Sequence, residues 1–259
     1  VDSIKYSQGL LRIFVEAISN AIDNEWRSKQ ANIPCKQIKI TINKETGETS
    51  IMNDGLCIPV EKQEQTGLYN PELIFGHLLT SSNYDDNEDR YTSGRNGLGI
   101  KLANVFSKQF SICVADGKKK YTKVWKNNMR DSEPEKICSC KNKGFTQVSW
   151  IPDFEKFMMS GYDNNIIRIY HKIILDTAMI TKVNVFLNDE KILVKSILDY
   201  AKCYKSNTDQ YIQLKSEDCE VVLTMNDTGE DYEYIPFTNG VYNRDGGIHV
   251  DKWTEAIFR

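Results

Sequence analysis

The chain has 259 residues, 40% of them hydrophobic and 27% charged, with a net charge of −3. At about 150 residues per domain, that length suits one large domain or two small ones. The ordinary globular composition excludes collagen, a disordered tail and a coiled coil. The slightly acidic balance argues against nucleic-acid binding by bulk charge.

No apolar run approaches the ~18 residues of a membrane helix. Val1 to Lys5 does not read as a signal peptide, and the missing initiator Met suggests a piece of something longer. Seven scattered cysteines without a Cys-x-x-Cys spacing read as reduced thiols in a reducing compartment.

Residues 7–29 read as one helix, with Leu10, Leu11, Ile13, Phe14, Ala17, Ile18, Ala21 and Ile22 on one apolar arc. Glu16, Asn20 and Asp23 form a polar stripe expected opposite the core. Ile38 to Ile42 alternates as a strand, 43–48 reads as a turn, and Thr49 to Asn53 as the partner strand. That strand runs into the turn signal Asn53-Asp54-Gly55.

A short helix is expected over 71–79, with Pro71 in its first turn. Residues 80–99 are polar and Gly-rich, a length that marks a functional or disordered loop. A helix follows from Ile100. Strands are expected at 110–115, 120–125, 145–151 and 182–187, with a helix at 164–180. Residues 220–225 and 234–238 read as a strand pair, and a last helix begins near His249. The pattern changes between 190 and 215, which places a domain boundary there. Lys118-Lys119-Lys120 is the obvious basic patch, readable as a DNA contact or as a solvated hairpin edge.

Gly94-Arg95-Asn96-Gly97-Leu98-Gly99 follows G-x-x-G-x-G, which is neither the Rossmann nor the Walker spacing. Its physics is still that of anion binding. Glycines let backbone amides approach a phosphate, and the following helix start offers orphan donors and a positive dipole end. Taken with Glu16 and Asn20 at i, i+4 and an Asp at a strand end, the parts suit an adenine nucleotide with Mg²⁺. A carboxylate activates water, an amide oxygen completes a Mg²⁺ octahedron, and the Asp accepts from the adenine amine.

In that order the motifs resemble the GHKL ATPases, the superfamily of gyrase, heat-shock chaperones, histidine kinases and mismatch-repair proteins. Glu16 to Asn24 is similar to their N-box, Asn53 to Pro59 to the adenine-side motif, and Gly94 to Lys101 to the glycine-rich lid. Within the superfamily, Pro71 to Asp86, Thr92 to Lys101, Phe237 to Gly240 and Gly246 to Asp251 resemble the eukaryotic-type DNA topoisomerase II. The fold implied is α+β: a GHKL (Bergerat) sandwich of helices on a mixed β-sheet over 1–200, then the start of a ribosomal-S5-like α/β transducer over 201–259.

The resemblance implies Glu16 as general base and Asn20 as Mg²⁺ ligand. Asn24 would lie near ribose or phosphates, and Asp54 would read adenine. Ser81, Ser82 and Asn83 would contact sugar and phosphate. Arg95, Asn96, Gly97, Leu98, Gly99, Ile100 and Lys101 would wrap the triphosphate of ATP, mainly through backbone amides. It implies an ATP-closed homodimer gate in an enzyme that passes one DNA duplex through another. Duplex DNA would be contacted mostly by the rest of that enzyme, with no membrane partner, in a nucleus or in the factory of a large DNA virus.

Departures from the family pattern are Asp54 for a usual Asn, Cys57 for a Gly, Ser93 for a Gly, Leu98 for a Tyr, Ile100 for an Ala and Ile248 for an Arg. Two other readings are a chaperone or repair-clamp ATPase and a nucleotide-binding dimerisation module without turnover.

Overall fold

Helix α1, Gln8–Gln30, begins where the Ser7 hydroxyl accepts from the amide of Leu10 at 3.4 Å, and ends with Arg27 and Lys29 in its last turn. The cap satisfies one orphan donor, and the cations complement the negative dipole end. The computed structural model describes residues 4–77, 99–204, 210–216, 219–225, 233–238 and 241–258. The described chain falls into two compact units, Val1–Lys195 and Ser196–Arg259. The division precedes the expected 200/201 boundary.

The first unit continues through β1 (Gln37–Ile42), β2 (Thr49–Asn53), α2 (Asn70–Gly76), α3 (Gly99–Val105), β3 (Ser107–Ala115) and β4 (Lys119–Lys126). There follow β5 (Asp131–Ser132), β6 (Lys136–Ser139), β7 (Phe145–Pro152), α4 (Asn164–Thr181), β8 (Asn184–Leu187) and β9 (Glu190–Lys191). The strands form one sheet in the order β5-β4-β3-β7-β2-β1-β8-β9, with β6 also on β4. All neighbours are antiparallel except β1 and β8. The sheet is therefore mixed, with helices in a second layer, as an α+β sandwich requires.

Alternation decides which side chains face the helices. Ile38, Ile40, Ile51, Phe110, Ile112, Val114, Tyr121, Trp150 and Val185 are buried on one face. Their neighbours Lys39, Ser50, Met52, Ser111, Cys113, Thr122 and Gln147 remain half-exposed on the other. Helix α4 is fixed to α1 by Tyr170, whose ring stacks on Phe14 at 3.9 Å and whose hydroxyl donates to the Leu10 carbonyl at 3.2 Å.

The polar stripe expected on α1 lies opposite the core only in part, with Asn20 exposed and Glu16 half-buried. Asp23 is 6% exposed, because α1 is sandwiched between β2, α3 and α4 rather than laid on one surface. Lys182, expected in a strand, instead ends α4 in the left-handed region at φ 58°, and β8 starts only at Asn184.

The second unit contains α5 (Ile197–Tyr204), β10 (Tyr211–Lys215), β11 (Glu220–Thr224), β12 (Phe237–Thr238), β13 (Val241–Tyr242) and α6 (Ile248–Phe258). The expected pairing of 220–225 with 234–238 is corrected. Strand β11 pairs with β10, matching Ile212 to Leu223 and Leu214 to Val221, while β12 folds back on β13. Joining apolar side chains across β10 and β11 favours that partner.

Candidate functional site

A cavity of about 610 Å³ opens between α1, β2, α2 and the chain after β2. Its α1 wall is the stripe Ala17, Asn20, Ala21, Asn24 and Arg27, a helix face at three- and four-residue steps. Its floor is Ile51 and Asn53 of β2 with Thr146 and Val148 of β7. Asn53 stands opposite Thr146 in the ladder. Leu73, Ile74 and Phe75 of α2, and Ile100 of α3, close the apolar side.

Asn24 anchors the turn after β2 to α1, its side-chain amide donating to the Asp54 carbonyl at 3.1 Å. Asn53 donates to that carbonyl at 3.2 Å, which leaves its Oδ1 without a hydrogen-bond partner among the described residues. One helical turn further along α1, buried Ser28 accepts from the Leu56 amide at 2.7 Å. Gly55, at φ +99°, sits so close that a β-carbon would come within 2.5 Å of the Ser28 hydroxyl and 3.0 Å of Cys35 Cβ. Both conformation and space require glycine there.

Asp54 is placed differently from the expectation. Its carboxylate accepts from the amides of Lys36 at 2.6 Å and Gln37 at 3.0 Å, and it is not part of the cavity wall. Strand parity explains the correction: Asn53 follows Thr49 and Ile51 on the helix-covered face, so Asp54 turns the other way. The same carboxylate contributes, after burial itself, to pushing the Cys35 thiol up to about 12.

Glu16 forms an ion pair with Arg12 one turn before it, and it lies against the start of α3. A β-carbon on Gly99 would overlap the Glu16 carboxylate, so the last glycine of the expected lid motif is what lets helix α3 meet the carboxylate. Asn20, four residues on, is exposed in the cavity wall and makes no side-chain hydrogen bond among the described residues. Ile100 reaches the cavity. Lys101 does not, its side chain being fully buried in α3, where desolvation pulls its ammonium pKa down.

The structure thus brings Asn20, Asn24 and Ile100 to one cavity, with Glu16 and Gly99 in mutual contact. Ser81, Ser82, Asn83, Arg95, Asn96, Gly97 and Leu98 lie outside the described residues. Sequence reasoning misses Asn53, Thr146 and Arg27. Alternation along β2 carries the signal for Asn53, and the i, i+3 step from Asn24 that for Arg27. Cys57, also in the wall, directs its thiol to the Gly55 carbonyl at 3.2 Å. Burial, then the charges of Asp116 and Asp54, raise its pKa.

Residues 5–149 match the model of the histidine kinase-, DNA gyrase B-, and HSP90-like ATPase family. DNA topoisomerase 2 of Invertebrate iridescent virus 6 is 41% identical over 269 residues, spanning 97% of this chain and 23% of the viral protein. The Arabidopsis thaliana DNA topoisomerase 2 is 38% identical, spanning 98% of this chain and 18% of its own. The chain thus spans under a quarter of the curated relatives it matches. The solved ATPase region of Saccharomyces cerevisiae topoisomerase II superposes with a TM-score of 0.88 at 35% identity, covering 99% of this chain and 68% of that one. The ATPase domain of Thermus thermophilus gyrase B, at 20% identity and a TM-score of 0.68, shares the fold.

Proposed function

Since the chain belongs to the histidine kinase-, DNA gyrase B-, and HSP90-like ATPase family, on its topoisomerase II branch, we propose that it is the ATP-hydrolysing gate of a type IIA DNA topoisomerase. The carrying observation is the cavity itself. It pairs an amide-lined α1 wall with a floor of Ile51, Asn53, Thr146 and Val148, and Glu16 stands at the contact between α1 and α3.

In this reading the adenine lies on Ile51 and Val148, and Asn53 Oδ1 accepts from its exocyclic amine. Asp54 supports the turn instead, by holding the Lys36 and Gln37 amides. Asn24, tied to the same turn, lines the ribose and phosphate side. Amides at the start of α3, from Gly99 and Ile100, face the phosphates. Glu16 accepts a proton from the water that attacks the terminal phosphorus, and the bond to the leaving ADP breaks. Arg12, paired with that carboxylate, holds it in place until the substrate arrives.

Asn20 fits a Mg²⁺ ion. It is an amide in the cavity wall without a side-chain hydrogen bond among the described residues, one helical turn from a carboxylate, and hard cations take such oxygens beside phosphate and water. The ion would neutralise phosphate charge. In the whole enzyme, nucleotide would close a dimer gate around a DNA duplex, and hydrolysis would reset it. The second unit would begin the transducer, and the enzyme would work in a nucleus or a viral factory.

Glu16→Gln in the full enzyme tests the assignment. Nucleotide binding is expected to persist while turnover falls about 10²–10⁴-fold. Unchanged turnover would remove Glu16 from the chemistry. Asn20→Ala should abolish the Mg²⁺ dependence of binding and leave metal-free binding intact.

A further inference from the structure

Six lysines gather at one edge of the large sheet, on two loops that the fold ties together. Lys118, Lys119 and Lys120 occupy the β3–β4 turn and the start of β4, Lys136 lies on β6, and Lys141 and Lys143 lie between β6 and β7. The register sets Lys120 opposite Cys138 and Thr122 opposite Lys136, so Lys120 and Lys136 are diagonal neighbours on the open face. The Cys140 amide donates to the Lys118 carbonyl at 2.8 Å and joins the loops. All but Lys120 are exposed, and Lys120 is half-buried.

Among the described residues none of the six forms an ion pair; the charge of Lys136 acts on Glu133, but the surrounding acids have their nearest partners elsewhere. Glu133 pairs with Lys126 at 2.6 Å, and Glu72 and Glu135 face Lys123 at 2.6 and 3.9 Å. Asp131 accepts from the Asn127 amide at 2.6 Å. In a chain of net charge −3, this edge is a local positive field that an approaching polyanion would relieve.

The edge is also preformed. Asp116 accepts from the amides of Lys118 at 2.8 Å, Lys119 at 2.7 Å and Val60 at 3.0 Å, fixing the turn to the segment that lines the nucleotide cavity. In the other loop, a β-carbon on Gly144 would overlap the Cys57 sulfur and come within 2.9 Å of the Ala115 carbonyl. A surface already held by its base loses less entropy on binding.

We propose that this edge docks the phosphate backbone of duplex DNA. Lysines are flexible point charges without the planar fork that reads base edges, so they suit phosphates and not sequence. The choice of duplex DNA over other polyanions rests on the topoisomerase reading above.

The test is fluorescence anisotropy of the full chain with a labelled 30-base-pair duplex between 50 and 200 mM salt. With about four phosphate contacts, log affinity should fall with log salt at a slope of about −3.6, a loss of roughly 150-fold across that range. The quadruple variant Lys118→Ala, Lys119→Ala, Lys141→Ala, Lys143→Ala should lose at least about 10-fold at 50 mM salt and flatten the slope to about −1 or less. Lys44→Ala with Lys156→Ala, away from the edge, should change neither.

Nucleotide binding by every variant, measured in parallel, reports folding. If the wild-type chain binds no nucleotide, the gate reading fails, whatever the duplex shows. Three results would overturn the docking surface: no duplex binding at 50 mM salt, an unchanged slope in the quadruple variant, or equal binding of polyglutamate or of anionic phosphatidylserine vesicles.

Discussion

The helix-covered face and the open face of the one large sheet carry opposite chemistry. On the covered face, Ile38, Ile40, Ile51, Phe110 and Trp150 are buried, and where β2 leaves the helix layer the same face supplies Asn53 to the cavity floor. On the open face, serines, threonines, glutamines and the lysines Lys39, Lys120 and Lys136 alternate with half-exposed apolar groups. One residue step separates the two, so one step also separates the side chain proposed to read nucleotide from one that supports a turn or lies on the proposed DNA-docking edge.

The largest effect expected from this contrast is in stability. Ile40→Ala, on the covered face, should cost about 2–5 kcal/mol, whereas Thr41→Ala, exposed on the next position, should stay within about 0.5 kcal/mol. Urea unfolding of the two variants measures the difference. Equal costs would mean that the open face is covered in solution.

Next in size is the support that Asp54 gives the turn. Asp54→Ala strips the partner from the Lys36 and Gln37 amides and should cost about 1–3 kcal/mol in the same unfolding measurement.

Much of this architecture is legible in the amino-acid sequence. The Leu10 to Ile22 periodicity gives α1, the alternation at Ile38–Ile42 gives β1, and the N-box, turn and glycine run appear in order. Other features are not legible, each for a physical reason. The stripe on α1 reads as solvated because a helical wheel shows one partner, whereas α1 has neighbours on several sides and buries Asp23. Strands β5 and β9 have two residues each, too short for a period to show. The 211–215 strand carries no strong alternation of burial, so its partner β11 pairs on paper with the next apolar run instead. At the cavity floor, motif resemblance points to Asp54 where strand parity points to Asn53.

A smaller effect tests the hairpin base by pH. Burial raises the Asp116 carboxyl, but the amides of Lys119, Val60 and Lys118 together hold it below its ordinary value. A depressed carboxyl pKa contributes stability that is fully present above the unfolded value of about 4 and is lost as pH falls through the folded value. Asp116→Asn should therefore lower the melting temperature at pH 7, and the gap from wild type should close as pH falls through the folded value. A gap independent of pH would assign the loss to packing and not to ionisation.

The smallest test is chemical. Exposed Cys138 should alkylate first at pH 8, Cys203 later because burial and then the Asp199 charge raise its thiol, and buried Cys35, its thiol pushed up to about 12, last. Mass spectrometry of partly labelled chain gives the order, and early labelling of Cys35 would contradict its burial under Gly55.

The most direct measurement is calorimetric titration with a non-hydrolysable ATP analogue and Mg²⁺, of wild type, Asn53→Ala and Asp54→Ala, at a temperature where all three are folded. Loss of at least about 10-fold in affinity for Asn53→Ala, as expected when a base-reading hydrogen bond is removed, with a smaller loss for Asp54→Ala, is the predicted result. The reverse order, or no saturable binding by the wild-type chain, would contradict the site.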